Sequence, residues 1–144
     1  MFVAALEAGI AFNNSSVTLI HGMSRPIGAL FHVAHGLSNA MLMKECLSFA
    51  LEGAYDRFAD LGRAIGVATP EDSDQAASEK FLDAVVALTE ELETPTLAEF
   101  GIDKEKFFEV IEKMAYDAMD SGSPQNTQRT ITQADVERMY KNLW

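Results

Sequence analysis

His21-Gly-Met-Ser-Arg-Pro-Ile-Gly-Ala-Leu-Phe-His-Val-Ala-His35 holds all three histidines of the 144-residue chain. Histidine titrates near neutral pH and is the commonest metal ligand. The same window carries Gly22, Pro26 and Gly28, with Gly36 directly after it. His21 and His35 are fourteen positions apart, too far for neighbours on one helical face. A break at Pro26 or Gly28 would fold the segment back and bring the two rings together.

On residues alone the pair has two readings. One is a pair of metal ligands, incomplete because a catalytic zinc site uses three protein ligands and iron sites often use two histidines and a carboxylate. The other is a core histidine and a helix-start residue. His32, three residues before His35, reads as a pocket-lining residue. Arg25 beside Pro26 is either a holder of substrate or phosphate or an ordinary surface arginine. Cys46, in an apolar helical run, reads as a core filler.

Working outward, Met1 to Phe12 is apolar almost all round and predicts a buried helix. Asn13 to Ser16 supplies a turn, and a second helix runs from about Ser16 toward the Pro26–Gly28 break. A third starts at His35 or Gly36 and ends at Gly53. Residues 54–66 predict a short helix with Tyr55, Phe58, Leu61 and Ile65 inward. Thr69 to Ser78 reads as an acidic loop. Ser78 to Glu93 reads as an amphipathic helix with Phe81, Leu82, Val85, Val86, Leu88 and Leu92 inward. Asp103 caps a helix through Met119 whose inward residues are Phe107, Val110, Ile111, Met114 and Ala118. Ser121 to Gln128 is a loop. Thr132 starts a last helix, with Asp135 where a capping box places its acid. No stretch alternates with period two, so the expected fold is all-α, one domain over residues 1–144 with six to eight helices.

Charge divides the chain. Residues 1–50 contain Glu7, Glu45, Arg25 and Lys44 and are neutral, so the whole net charge of −11 lies in the rest. That balance excludes nucleic acid as an expected partner. No run of eighteen apolar residues occurs, so no membrane partner is expected. The single cysteine allows no intrachain disulfide, which fits a reducing, cytoplasmic setting. No phosphate loop, dinucleotide fingerprint, nucleophile elbow or paired-cysteine motif is present.

Ala8-Gly9, Ala11-Phe12, His21, Pro26-Ile27-Gly28-Ala29, His35-Gly36 and Asn39-Ala40 together strongly resemble the signature region of the iron-containing (group III) alcohol dehydrogenases. The resemblance continues more weakly through Ser121–Pro124, Asn126, Arg129, Thr132, Asp135 and Tyr140. It implies the helical C-terminal part of an enzyme whose Rossmann-like N-terminal domain binds NAD(P). The helical part binds a divalent metal, Fe2+ or Zn2+, that polarises an alcohol or carbonyl oxygen. Its ligands are an Asp and a His four residues apart on an upstream helix, expected before Met1, and two histidines that map onto His21 and His35. Arg25 falls where the family often has a histidine near the nicotinamide; with Phe12 it is assigned to cofactor binding, and no catalytic residue is assigned. Thr127-Gln128 stands where many relatives have Asn-Pro, which predicts a looser loop.

The chain therefore corresponds to roughly the last third to two-fifths of such an enzyme. Small alcohols or aldehydes are the expected substrates, and the chain alone is expected to be inactive. The alternative is a non-catalytic helical interaction module derived from the family. Uncovered residues 1–45 predict a homo-oligomer.

Overall fold

The computed structural model describes residues 2–144 and contains, among them, eight α-helices, one 3-10 turn and no strand. The helices are α1 (Phe2–Ser15), α2 (Leu19–Phe31), α3 (His35–Leu51), α4 (Tyr55–Ala64), α5 (Asp74–Glu91), α6 (Lys104–Glu109), α7 (Ile111–Asp120) and α8 (Gln133–Lys141), with the 3-10 turn at Pro124–Asn126. The all-α expectation holds.

The hub is α2, which packs on α3, α7 and the 3-10 turn. Leu19, Met23 and Ile27 recur every four residues and are all buried. They meet Leu42, Cys46 and Phe49 of α3, Phe107 of α6, Met114 and Ala118 of α7, and Val136 and Tyr140 of α8 in one core. The expected break at Pro26–Gly28 does not occur, because α2 runs through both residues. Proline within a helix costs about 3 kcal/mol, whereas each fully buried aliphatic side chain contributes roughly 1.5–3 kcal/mol. Three such residues on one stripe outweigh the proline. The Tyr140 hydroxyl donates to the Met23 carbonyl at 2.7 Å within this same stretch.

The turn comes later. His32 adopts a left-handed conformation (φ 55°) and its N–H closes α2 on the Gly28 carbonyl. Val33 then drops into the core and Ala34 leads into α3.

The first helix corrects its expectation most sharply. It forms and runs to Ser15, past the predicted turn, but none of its residues is buried. Phe2 is 95% exposed. It shares no substantial packing with any other helix among the described residues, and it diverges from α2 by 106°. An all-round apolar helix needs partners on all sides, and no helix among the described residues packs substantially on this one. Among the described residues no single helix is long and apolar enough to cross a membrane.

Two boundaries also move. The acidic loop ends at Ser73, whose hydroxyl accepts the Ala76 N–H, so α5 starts four residues early. Helices α4 and α5 meet through small residues, Ala59, Gly62 and Ala77. A Cβ on Gly62 would lie 2.6 Å from the Ala77 carbonyl oxygen. Backbones this close leave larger side chains at the margins, so Leu61, Ile65, Leu88 and Leu92, expected inward, are exposed. The helix capped by Asp103 is interrupted at Val110, giving α6 and α7. At the end of the chain, the Thr132–Asp135 capping box is present in full.

The tail loop is not loose. Thr127 accepts the Leu19 N–H at 3.2 Å and Asn126 donates to the Val17 carbonyl at 2.9 Å. Arg129 donates to the Phe49 carbonyl, pairs with Glu52 at 2.7 Å and stacks 4.2 Å above the Phe49 ring. The loop thus supplies the N-terminal cap that α2 lacks from its own Thr18.

Candidate metal centre

His21 lies in the first turn of α2 and His35 opens α3. The turn through His32, Val33 and Ala34 brings their rings to a centroid separation of 5.1 Å, tilted by 56°. The pairing expected from the sequence is present, made by a turn that begins at His32, four to six residues beyond the predicted break.

His21 is half-buried, and its pKa is lowered by burial first, then by the nearby His35 and Arg25 charges. Its neutral form, the ligating form, is favoured near neutral pH.

The tautomer of His35 follows from its partners. The Ser38 hydroxyl donates to the His35 carbonyl at 3.0 Å. Ser24 Oγ lies 2.6 Å from Ser38 Oγ and must therefore donate to it. That spends the only Ser24 proton, so His35 Nδ1–H donates to Ser24 Oγ at 3.1 Å. Nε2 is left with the lone pair, which accepts from the Asn39 amide at 3.2 Å. Both serines are fully buried. His35 is thus oriented by an acceptor on its Nδ1–H, here a hydroxyl, as the second nitrogen of a metal-ligating histidine is held by an acceptor, and its lone pair sits on Nε2. Asn39 engages that lone pair while its own Oδ1 is buried without a partner.

Two imidazoles on one tetrahedral ion have ring centres roughly 5 Å apart, given metal–nitrogen bonds of about 2.0–2.1 Å. The observed separation, the neutral His21 and the Nε2 lone pair of His35 all fit such an ion. No group of three or more His, Cys, Asp or Glu residues able to hold a metal occurs among the described residues.

The other predicted residues divide. Arg25, one helical turn from His21, joins the site, and its Nη1 donates to the buried Ser123 hydroxyl at 3.0 Å. His32 is exposed and serves as the left-handed cap. Phe12 is not gathered into this constellation; it stands 57% exposed on α1 and lines a shallow depression with Asn13 to Val17. Cys46 is buried, and burial pushes its thiol pKa up, so it stays a core thiol. The sequence reading missed Ser24 and Ser38. The signal was there: His21-Gly-Met-Ser24 and His35-Gly-Leu-Ser38 are the same four-residue pattern, and spacing of three places each serine on its histidine's helical face.

Fold and site together define an all-helical domain that brings two histidine rings, His21 and His35, side by side at the α2–α3 junction. The C-terminal model of the Fe-containing alcohol dehydrogenase family matches residues 1–144, and the chain belongs to that family. It is 28% identical over its whole length to lactaldehyde reductase of Escherichia coli strain K12, covering 37% of that protein. It is 29% identical over 99% of its length to the NAD-dependent methanol dehydrogenase of Bacillus methanolicus, covering 36% of it. Among solved structures, 1,3-propanediol oxidoreductase superposes with a TM-score of 0.89 at 25% identity, over 98% of this chain and 36% of that one. An iron-containing alcohol dehydrogenase from Thermococcus thioreducens gives 0.84 at 28% identity, over 98% and 35%. The chain spans a little over a third of the length of these relatives.

Proposed function

We propose that this chain is the metal-holding part of an NAD(P)-linked alcohol dehydrogenase that interconverts small alcohols with their aldehydes or ketones. The observation that carries the proposal is the His21–His35 pair, with His35 fixed by Ser24 so that its ligating nitrogen carries the lone pair. His21 and His35 would hold the ion, iron or zinc, which supplies Lewis acidity to an alcohol or carbonyl oxygen when bound. Each imidazole must stay neutral to ligate, and the burial of His21 favours that form. Ser24 and Ser38 fix the His35 ring, and Asn39 shields its lone pair.

The nucleotide platform is assigned to a domain outside these residues, as are the remaining ligands. Arg25, beside His21, and Phe12, exposed on α1, are assigned to cofactor binding. Relatives named for NAD and for NADPH both occur, hence NAD(P). The unpartnered α1 favours self-association, with a second copy covering its apolar residues, and light scattering showing a monomer at high concentration would contradict that. A cytoplasmic location, with Cys46 kept as a thiol, belongs to the same reading. Exposure of α1 equally favours the alternative, a helical interaction module without chemistry.

Metal binding separates the two. Zinc or ferrous iron is titrated calorimetrically into the wild-type chain and into the His21→Ala/His35→Ala variant. Weak binding that the double substitution removes supports the metal-holding reading; binding untouched by it overturns the ligand assignment. In a parallel assay with NAD(P), a small primary alcohol and added metal, the chain alone should give no turnover.

A further inference from the structure

The chain has five arginines. Four of them, Arg57, Arg63, Arg129 and Arg138, pair with a carboxylate. Arg25 is the one arginine without a carboxylate partner among the described residues, in a chain with twice as many acids as bases. No acidic residue occurs anywhere between Glu7 and Glu45. Its guanidinium is nonetheless held in place, because Nη1 donates to the hydroxyl of Ser123, a residue 4% exposed in the loop packed on α2. One edge of the planar fork is thus tethered, on a residue that is exposed as a whole. Spacing of four on α2 sets the side chain beside His21, and its charge is one of the causes that lower the His21 pKa.

A tethered, unpaired guanidinium is suited to carboxylate or phosphate recognition, since its donors match two oxygens at once. We propose that Arg25 is an oxyanion-binding residue that holds a carboxylate or phosphate group of a ligand reaching the His21–His35 pair. This rests on the metal-holding reading above and narrows it to ligands with an anionic group. Two sources share that chemistry: a carboxylate on the substrate, as in a 2-hydroxy acid, and a phosphate of the dinucleotide.

The test uses the metal-free 144-residue chain and follows the arginine Nε–H and histidine ring signals by NMR. The probes are glycolate, inorganic phosphate and NAD+, with ethanol as the counterpart of glycolate that lacks the carboxylate. At least one anionic probe should shift Arg25 and His21 saturably, and ethanol should not. Arg25→Ala should weaken that binding about tenfold or more, the expected loss of hydrogen bonds to a charged group. Arg25→Lys should retain part of it, and Arg57→Ala should change nothing. Glycolate binding more tightly than phosphate and NAD+ assigns the site to substrate; the reverse order assigns it to cofactor, and either supports the proposal. Binding that survives Arg25→Ala unchanged, or no saturable binding by any anionic probe, overturns it. Zinc titration of the same samples separates the two readings. Zinc bound through the histidines without an Arg25-dependent anion leaves the metal reading intact, while the converse removes the metal reading alone.

Discussion

Helices α1 and α2 are consecutive, similar in length and both rich in apolar residues, yet they have opposite fates. Helix α2 buries Leu19, Met23 and Ile27 on one stripe and becomes the hub of the core. Helix α1 buries nothing. The difference lies in arrangement and partners. The apolar residues of α2 gather on one face, which α3, α7 and α8 together cover. Those of α1 surround the helix, and after the 106° bend no other helix among the described residues packs substantially on them. Apolar content alone therefore does not predict burial; burial also requires an element to pack against.

The contrast is sharpest under side-chain deletion. Met23→Ala should destabilise the chain by about 2–5 kcal/mol, as for a fully buried side chain, whereas Leu6→Ala should shift stability by about 0.5 kcal/mol or less. Urea denaturation of both variants checks this, and equal losses would break the comparison.

Glycine replacement should even reverse in sign. A Cβ on Gly22 would fall 2.7 Å from Pro124 Cγ, while one on Gly9 would meet nothing within 4 Å. Gly22→Ala should then cost about 1–3 kcal/mol through overpacking. Gly9→Ala should strengthen an exposed helix by about 0.5–1 kcal/mol, read as increased helicity in circular dichroism.

The smallest effect is a pH dependence confined to α2. The pKa of His21 is lowered in the folded chain. The unfolded chain therefore takes up the proton first, and the stability contribution is full above about pH 6.5 and declines as pH falls toward the lower folded value. Helix α1 carries no histidine. Denaturation midpoints at pH 8 and pH 5 should differ less in His21→Ala than in wild type; an unchanged difference would contradict the assignment.

Local chemistry was legible in the sequence where one residue decides it. Thr132 with Asp135 announced the last helix, and the helix predicted over residues 54–66 closes at Gly66, whose φ is positive. The His21–His35 pairing was also legible, because a connection of this length between two helices must turn. Its location was not: Pro26 carries a strong local signal for a break, and only the buried stripe around it shows why the helix continues. The hydroxyl relay through Ser24 and Ser38 depends on two helices meeting, so no single segment displays it, although the repeated His-Gly-x-Ser pattern hinted at it. The exposure of α1 was illegible for the same reason, since the outcome depends on a partner and not on its own residues.

The central claim is that His21 and His35 ligate one metal ion together. Zinc X-ray absorption on the metal-loaded chain tests it most directly, because imidazole ligands can be counted from their scattering. The account predicts two imidazoles per zinc in the wild-type chain, one in His35→Ala, and the remaining positions filled by light oxygen donors. A zinc environment without imidazole, or one that His35→Ala leaves unchanged, would contradict it.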